Sequence, residues 1–382
     1  MRPKILAVSI LLVVVACVFL NQRPVRAGEV TPTAGYKVLD PIRHGNLTVF
    51  PVVAAKSYPT SEFITLDEGL RSGEVVVTEA GSMQGLVRRH GSPIVHDGAQ
   101  VSRLVLVNNS KRPLLLLAGE IVSGGKQDRV IGKDRIVPAE SDPIDLSVFC
   151  VEHGRWVATT EHFGASEALY GKAVGGPVSN APPPMALMVQ PSVRAKAMGD
   201  KSQQEVWDEV SKQKTEMTAQ LNAAAPTAQT VEIERVTSYA KVNENQDVRK
   251  YVDSVAKPLE QSYQSLIHQL RDRNAVGVVV AVNGRVIWAD IFASTDLLSK
   301  YWPKLVRSYA SEAVVTRAKE MELTNKQAEV FLADMEGRKE MIESEPGIYR
   351  HTEVDGDGFK AFALTSLLPK TGFDLHVAKM AE

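Results

Sequence analysis

Val276-Gly277-Val278-Val279-Val280-Ala281-Val282-Asn283-Gly284-Arg285-Val286-Ile287-Trp288-Ala289-Asp290-Ile291 is the stretch that decides the fold class. A run of β-branched residues meets Asn-Gly, the dipeptide that best signals a two-residue hairpin turn, because both positions accept positive φ. A second strand-like run returns from it. Helical spacing surrounds this hairpin. Upstream, Val248, Val252, Val255, Leu259, Tyr263, Leu266 and Leu270 recur within 247–272, with Pro258 expected to kink or split the helix. Another helix is expected over 201–221, from Val206, Val210, Met217 and Leu221. Downstream, Ser294 or Thr295 suits an N-cap, and Pro303 suits the start of a new helical segment. Thr324 with Gln327 suggests a capping box for a helix over 324–342. A closing hairpin is expected over 347–379, around Asp355-Gly-Asp-Gly358. That tetrapeptide resembles the start of an EF-hand loop, but Ser366 stands where the final glutamate ligand belongs, so a plain turn is expected.

The preceding region reads mainly as strand. Leu47 to Ala55, Glu74 to Glu79, Val101 to Asn108, Leu114 to Ala118 and Ile144 to Cys150 are short apolar or alternating runs, and Thr65 to Ser72 is a helical turn. Five or more such strands separated by turn chemistry suggest a sandwich or open barrel. The whole reads as α+β: a β-rich, sandwich-like or open-barrel-like N-terminal half, then a helical half with inserted β-hairpins. The expected divisions are a signal peptide over 1–27, a lead-in over 28–45, and the β-rich part over 46–163. A Gly/Pro/Ala-rich connection over 164–200 and an α+β part over 201–382 complete one composite domain.

The leader has its own logic. Arg2 and Lys4 precede an apolar run from Ile5 to Leu20, and Val25-Arg26-Ala27 offers a cleavage site before Gly28. The run is short for a membrane span, which needs about 20 residues. An uncleaved anchor, or a lipoprotein with Cys17 as the lipidated residue, are the alternatives. Each of the three readings exports the body to the periplasm or beyond. Cleavage removes Arg2, Lys4, Arg23 and Arg26 and takes the formal charge from −1 to −5. Cys150 is then the single cysteine, so an intrachain disulfide is ruled out for the mature chain. Near-neutral charge without a long basic block argues against nucleic acid as a partner. The expected membrane contact is the uncleaved signal or lipid anchor alone.

Candidate chemistry collects where charge, amide and glycine follow strand-like runs. The first cluster is Gly119-Glu120 through Gly124-Gly125-Lys126-Gln127-Asp128-Arg129. Its glycines permit close backbone approach, Lys126 and Arg129 offer donors to an anion, and Gln127 can bond an amide or hydroxyl. The segment lacks the glycine and hydroxyl spacing of a P-loop. The second cluster is Cys150-Val-Glu152-His153-Gly154-Arg155-Trp156. Glu120 and Glu152 are the acid–base candidates. Lys126, Arg129 and Arg155 would hold an anion, while Gln127 and Trp156 would orient the ligand. Asp290, Lys304 and Arg307 form a third cluster, with Lys304 and Arg307 on one helix face. Each cluster also has a plainer reading: a surface ion pair for the first, a small core cysteine and an Arg–Trp strand cover for the second, a solvated basic face for the third. Cys150, His153 and His162 match no common metal spacing, so neither a metal nor a cofactor is assigned.

Several strings resemble the ARG and rhodanese-phosphatase-superfamily-associated protein domain. They are Gly119-Glu120, Gly125 through Arg129, Val148 through Trp156, Val282-Asn283-Gly284-Arg285 with Asp290, and Trp302 through Ala310. The resemblance covers residues 46–80, 101–156 and 275–314. It implies one composite unit and gene neighbours acting on ADP-ribose and phosphate compounds; the export signal departs from such cytoplasmic chemistry. The functional expectation is an exported domain that binds an anionic small molecule, nucleotide-like or ADP-ribose-like, with hydrolase-like activity. The alternative is a non-enzymatic envelope binding or structural protein.

Overall fold

The computed structural model describes residues 35–80, 100–154, 160, 162–164, 187–224, 233, 235–269, 274–317 and 323–382. The expected leader, the 81–97 loop and most of the Gly/Pro/Ala-rich connection, as well as Arg155 and Trp156, lie outside these residues.

In the N-terminal region the strands are β1 (Tyr36–Val38), β2 (Ile42–His44), β3 (Leu47–Ala54) and β4 (Ile64–Thr65). Helix α1 (Leu66–Ser72) follows, then β5 (Val75–Glu79), β6 (Arg103–Asn108), β7 (Leu114–Leu116), β8 (Ile121–Val122) and β9 (Arg129–Ile131). The region closes with β10 (Arg135–Val137), β11 (Ile144–Cys150) and β12 (His162–Phe163). Helices α2 (Pro191–Ala195), α3 (Gln203–Ala224), α4 (Tyr239–Glu244) and α5 (Gln246–Gln269) come next, with a π-helical turn Lys196–Asp200 after α2. The rest comprises β13 (Ala275–Val282), β14 (Arg285–Phe292), α6 (Thr295–Val315), α7 (Asn325–Ala333), β15 (Gly337–Glu345), β16 (Tyr349–Gly356), β17 (Phe359–Ser366) and β18 (Asp374–Ala381). The molecule is α+β with a β-rich N-terminal half.

Three sheets organise these strands. The largest has nine, ordered β1-β3-β13-β14-β18-β17-β16-β15, with β2 also on β3. The Asn283-Gly284 turn, both residues at positive φ, joins β13 to β14 as the dipeptide requires. β13 lies between β3 and β14 and is buried on both faces, which explains its unbroken apolar sequence. Val278 and Val280 point into a core shared with Tyr263 of α5 and Trp302 and Tyr309 of α6. Val279 and Ala281 point to the opposite face, covered by Ala328 and Leu332 of α7. A six-stranded sheet, β12-β5-β6-β11-β9-β8, and a three-stranded sheet, β10-β7-β4, share a separate core that includes Val77, Leu106, Leu116 and Val148.

Four local expectations need correction. The helix begun at Thr324 stops at Ala333, and Gly337–Glu345 is a strand paired with β16. Its Arg, Lys, Glu and Met residues favour helix in isolation, but pairing overrides propensity, and charge suits an edge strand. The closing segment is three strands rather than one hairpin, because β18 leaves β17 and pairs with β14. Pro258 does not split α5, which runs unbroken to Gln269. Pro303 lies inside α6 rather than at a new start; the cap is Ser294, whose side chain accepts from Leu297 N.

Candidate functional site

The turn between β7 and β8 is the hub of the interior. Gly119 has φ +94°, and a Cβ there would lie 2.9 Å from Arg194 Cδ, so glycine is needed for both backbone and space. Leu117 N donates to Glu120 Oε2 at 2.7 Å, and Ala118 N donates to Asp134 Oδ1 at 2.8 Å. The carbonyl of Ala118 accepts from Arg194 Nε at 2.8 Å. This turn thereby brings side chains from the loop before β10 and from α2 onto the helix-covered face of the nine-stranded sheet.

Glu120 is 0 % exposed. Its Oε1 lies 2.5 Å from Lys304 Nζ, and Lys304 also donates to Asp67 Oδ2 at the start of α1. Two carboxylates share one buried ammonium. Burial raises the Glu120 pKa, with Asp67 adding to the rise against the pull of Lys304. Burial pushes Lys304 down, but Asp67 and Glu120 outweigh it and its pKa is raised. Helix α6 also reaches the β-rich part through Tyr301, whose hydroxyl donates to Leu115 O at 3.0 Å.

A second chain of ions runs beside the first. His376 Nδ1 is 2.6 Å from Asp134 Oδ2, and its Nε2 is 3.0 Å from Asp290 Oδ1. Asp290 Oδ2 accepts from Arg194 Nη1 at 2.9 Å and from the Tyr309 hydroxyl. The Arg194 guanidinium lies 4.7 Å from the Trp288 ring centroid. All five side chains are buried. Burial would drive His376 toward the neutral form, yet the two aspartates outweigh it and raise its pKa to about 9. Burial likewise opposes ionisation of Asp134 and Asp290; His376 for the first and Arg194 for the second reverse the sign, and both are lowered. Three charged links and a phenol hold β14, β18, α2, α6 and the β9–β10 loop together.

The remaining candidates form a third knot. Asp128 N donates to Glu152 Oε2 at 3.1 Å, and Gln127 Nε2 donates to the Glu152 carbonyl at 3.0 Å. Cys150 Sγ is 3.1 Å from Gln127 Oε1, and burial pushes the thiol pKa up. Asp128 also accepts from the Ser238 hydroxyl, which caps α4. Cys150 and Arg129 are register partners across β9 and β11. The amides of the glycine turn find side-chain acceptors: Gly124 N donates to Asp128 Oδ1, Gly125 N to Thr160 Oγ1, and Lys126 N to Glu79 Oε1.

Gln127 and Asp128 therefore contact Glu152, Arg155 and Trp156 lie outside the described residues, and Asp290 and Lys304 belong to the adjoining ion clusters. Glu120, Gln127, Arg129, Glu152, Asp290 and Lys304 are buried, and Lys126 is half-buried. Lys304 and Arg307 do not present a common solvated face: Lys304 turns inward, whereas Arg307 is partly exposed and pairs with Asp253 of α5. Asp67, Asp134, Arg194, Ser238 and His376 escaped the sequence reading. His376 alone carried a signal, as a lone titratable residue within the apolar Leu375-His-Val-Ala378 run. Among the described residues no group of three or more His, Cys, Asp and Glu is placed to hold a metal ion, and no helix is long and apolar enough to cross a membrane.

Two hollows among the described residues lie away from these clusters. A groove of about 480 Å³ runs between α7 and the ends of β14, β17 and β18, where Arg285, Lys326 and Lys379 meet Val286, Phe331 and Phe359. A cleft of about 250 Å³ beside the π-helical turn is lined by alternating charges, among them Lys201, paired with Glu353 at 2.7 Å. Neither is lined by the candidates read from the sequence.

Fold and interior define an α+β domain whose layers are tied by buried ion clusters. It belongs to the ARG and Rhodanese-Phosphatase-superfamily-associated Protein domain family, which matches residues 35–378. Neither a curated protein nor a solved structure matches the chain.

Proposed function

We propose that this chain is an exported domain that binds an anionic small molecule, and that Glu120 and Glu152 frame the fold rather than turn a ligand over. One observation carries the reading: Arg285, Lys326 and Lys379 line an open groove whose acids are Asp334 and Asp357, with Arg285 Nη2 also donating to Glu382 O at 2.7 Å. Excess positive charge over an apolar floor favours an anion with some apolar body. Both oxygens of Glu120 are engaged inside the core, by Lys304 and Leu117 N, which removes support for acid–base work there. Export rests on Arg2, Lys4 and the apolar run that follows them.

A thermal-shift screen of the chain from Gly28 onward tests the proposal, using nucleotides, ADP-ribose, phosphosugars and carboxylates with product analysis in parallel. The expected result is a rise in Tm with at least one anion and no turnover. Turnover lost in a folded Glu120→Gln variant would overturn the non-catalytic part. No shift with any anion would overturn the binding part and favour a structural or protein-binding role in the envelope, a reading that the engagement of both Glu120 oxygens inside the core also supports. Fractionation of cells expressing the full chain tests export.

A further inference from the structure

We propose that the groove beside α7 is a binding site for a single-chain anionic amphiphile, a long-chain carboxylate. The inference rests on the anion-binding reading above and names the ligand class for that groove.

Three observations converge. The first is Lys379, which is buried at the groove floor and forms no ion pair among the described residues. Its ammonium donates to the carbonyls of Phe331, at 2.6 Å, and Asp334, at the end of α7. It sits 3.5 Å from the Phe359 ring centroid and 4.7 Å from that of Phe331. A buried cation is ordinarily matched by an anion. Here carbonyl dipoles and ring faces stand in, and burial lowers the lysine pKa to about 8 against a small opposing effect of Asp334.

The second is charge at the rim. Arg285 and Lys326 are both exposed and both line the groove; Arg285 Nη2 donates to Glu382 O at 2.7 Å, so a carboxylate entering meets Lys326 directly and competes with Glu382 for Arg285. The third is apolar surface left uncovered. Val330, on the outer turn of α7, is 55 % exposed, more than any other large apolar side chain among the described residues. It borders this groove, and it also borders a further hollow of about 310 Å³ on the other side of α7. A head group set at Arg285 and Lys326 leaves its tail free to lie along Phe331 and Val330, Phe359 being 2 % exposed beneath Lys379. The tail hides apolar surface while the head neutralises charge, and a compact, strongly hydrated anion offers only the second gain.

Titration calorimetry with dodecanoate, dodecanol, dodecyltrimethylammonium, inorganic phosphate and ADP-ribose, all below micelle formation, tests this. Dodecanoate is expected to bind at least about tenfold more tightly than dodecanol or phosphate, with no binding of the cationic chain. Arg285→Ala with Lys326→Ala, both exposed, should keep Tm and weaken dodecanoate at least about tenfold. Val330→Ser, which removes apolar surface without adding charge, should weaken it without altering phosphate binding. Equal affinity for dodecanol and dodecanoate, or indifference to the double substitution, overturns the proposal. Binding of ADP-ribose but no amphiphile overturns the ligand class and leaves the anion-binding reading standing; binding of no anion defeats both. Concentration-dependent dimerisation abolished by Val330→Asp would put a second copy on this face and overturn the amphiphile.

Discussion

His376 Nδ1 and Asp134 Oδ2 stand 2.6 Å apart across 242 residues of chain, and the ring's other nitrogen reaches Asp290. The imidazole is the rivet between the β9–β10 loop and the nine-stranded sheet. Replacing it with Asn leaves two buried aspartates facing each other with less compensation. His376→Asn is expected to destabilise the fold by about 3–5 kcal/mol, the usual effect of removing one partner from a buried ion cluster. Chemical denaturation with unchanged m-value is the readout.

The same histidine sets a pH dependence. Its folded pKa, raised to about 9, exceeds the ordinary 6.5, so its contribution is full below about pH 6.5 and lost as pH rises through 9. Lys379 acts with the opposite sign: lowered to about 8 from 10.5, it disfavours the fold while charged and ceases to do so between pH 8 and 10.5. Stability should fall from pH 6.5 to 8, level off near 8–9 and recover above. Denaturation midpoints across this range check it, and His376→Gln should remove the initial fall.

Lys304 serves two buried acids, so its loss should be severe. Lys304→Met is expected to cost about 3–5 kcal/mol. Adding Glu120→Gln should recover part of that by removing a stranded carboxylate. A double-mutant cycle in denaturant measures the coupling, and strict additivity would contradict the direct contact.

Gly119→Ala combines a φ of +94° with a Cβ 2.9 Å from Arg194 Cδ, and is expected to destabilise by about 1–3 kcal/mol. Gly73→Ala, at φ +74° with nothing within 4 Å, should be milder. Comparing their thermal midpoints separates backbone strain from crowding of the arginine.

Cys150 should resist modification. Its thiol is buried, bonded to Gln127 and shifted upward in pKa. In a chain starting at Gly28 it is the single cysteine, so thiol titration should give no reaction when native and one equivalent in denaturant. Rapid native labelling would contradict the burial.

Local chemistry carried most of what could be read from the sequence. Asn283-Gly284 dictated its hairpin, the helical turn expected over Thr65 to Ser72 became α1, and the alternation of 144–150 became β11 unchanged. Where nearby residues favoured one structure and distant ones another, the reading failed, as at Gly337–Glu345, whose fate is set by β16. The charged clusters show the same divide. Polar residues after strands marked Glu120, Gln127 and Glu152, but pattern alone does not distinguish a pocket wall from a sealed ion pair. That depended on Lys304, 184 residues beyond Glu120, and on Asp67 before it. Arg194 sits in a Gly/Pro/Ala-rich connection that offered no helical period, and Asp134 in a short polar turn, so nothing local announced either.

The position of β3 has a consequence for how this chain is made. It is laid down among the first strands, yet its neighbour β13 begins at Ala275, and β14 and β18 arrive later still. An early strand that must wait for late ones cannot complete its hydrogen bonding while synthesis or threading through a translocation channel is under way. Contacts so distant in sequence also slow the search once the chain is released. On the export reading proposed above, the polypeptide would cross the membrane unfolded and close its central sheet on the far side, with β3 exposed to mispairing until β13, complete only at Val282, has emerged.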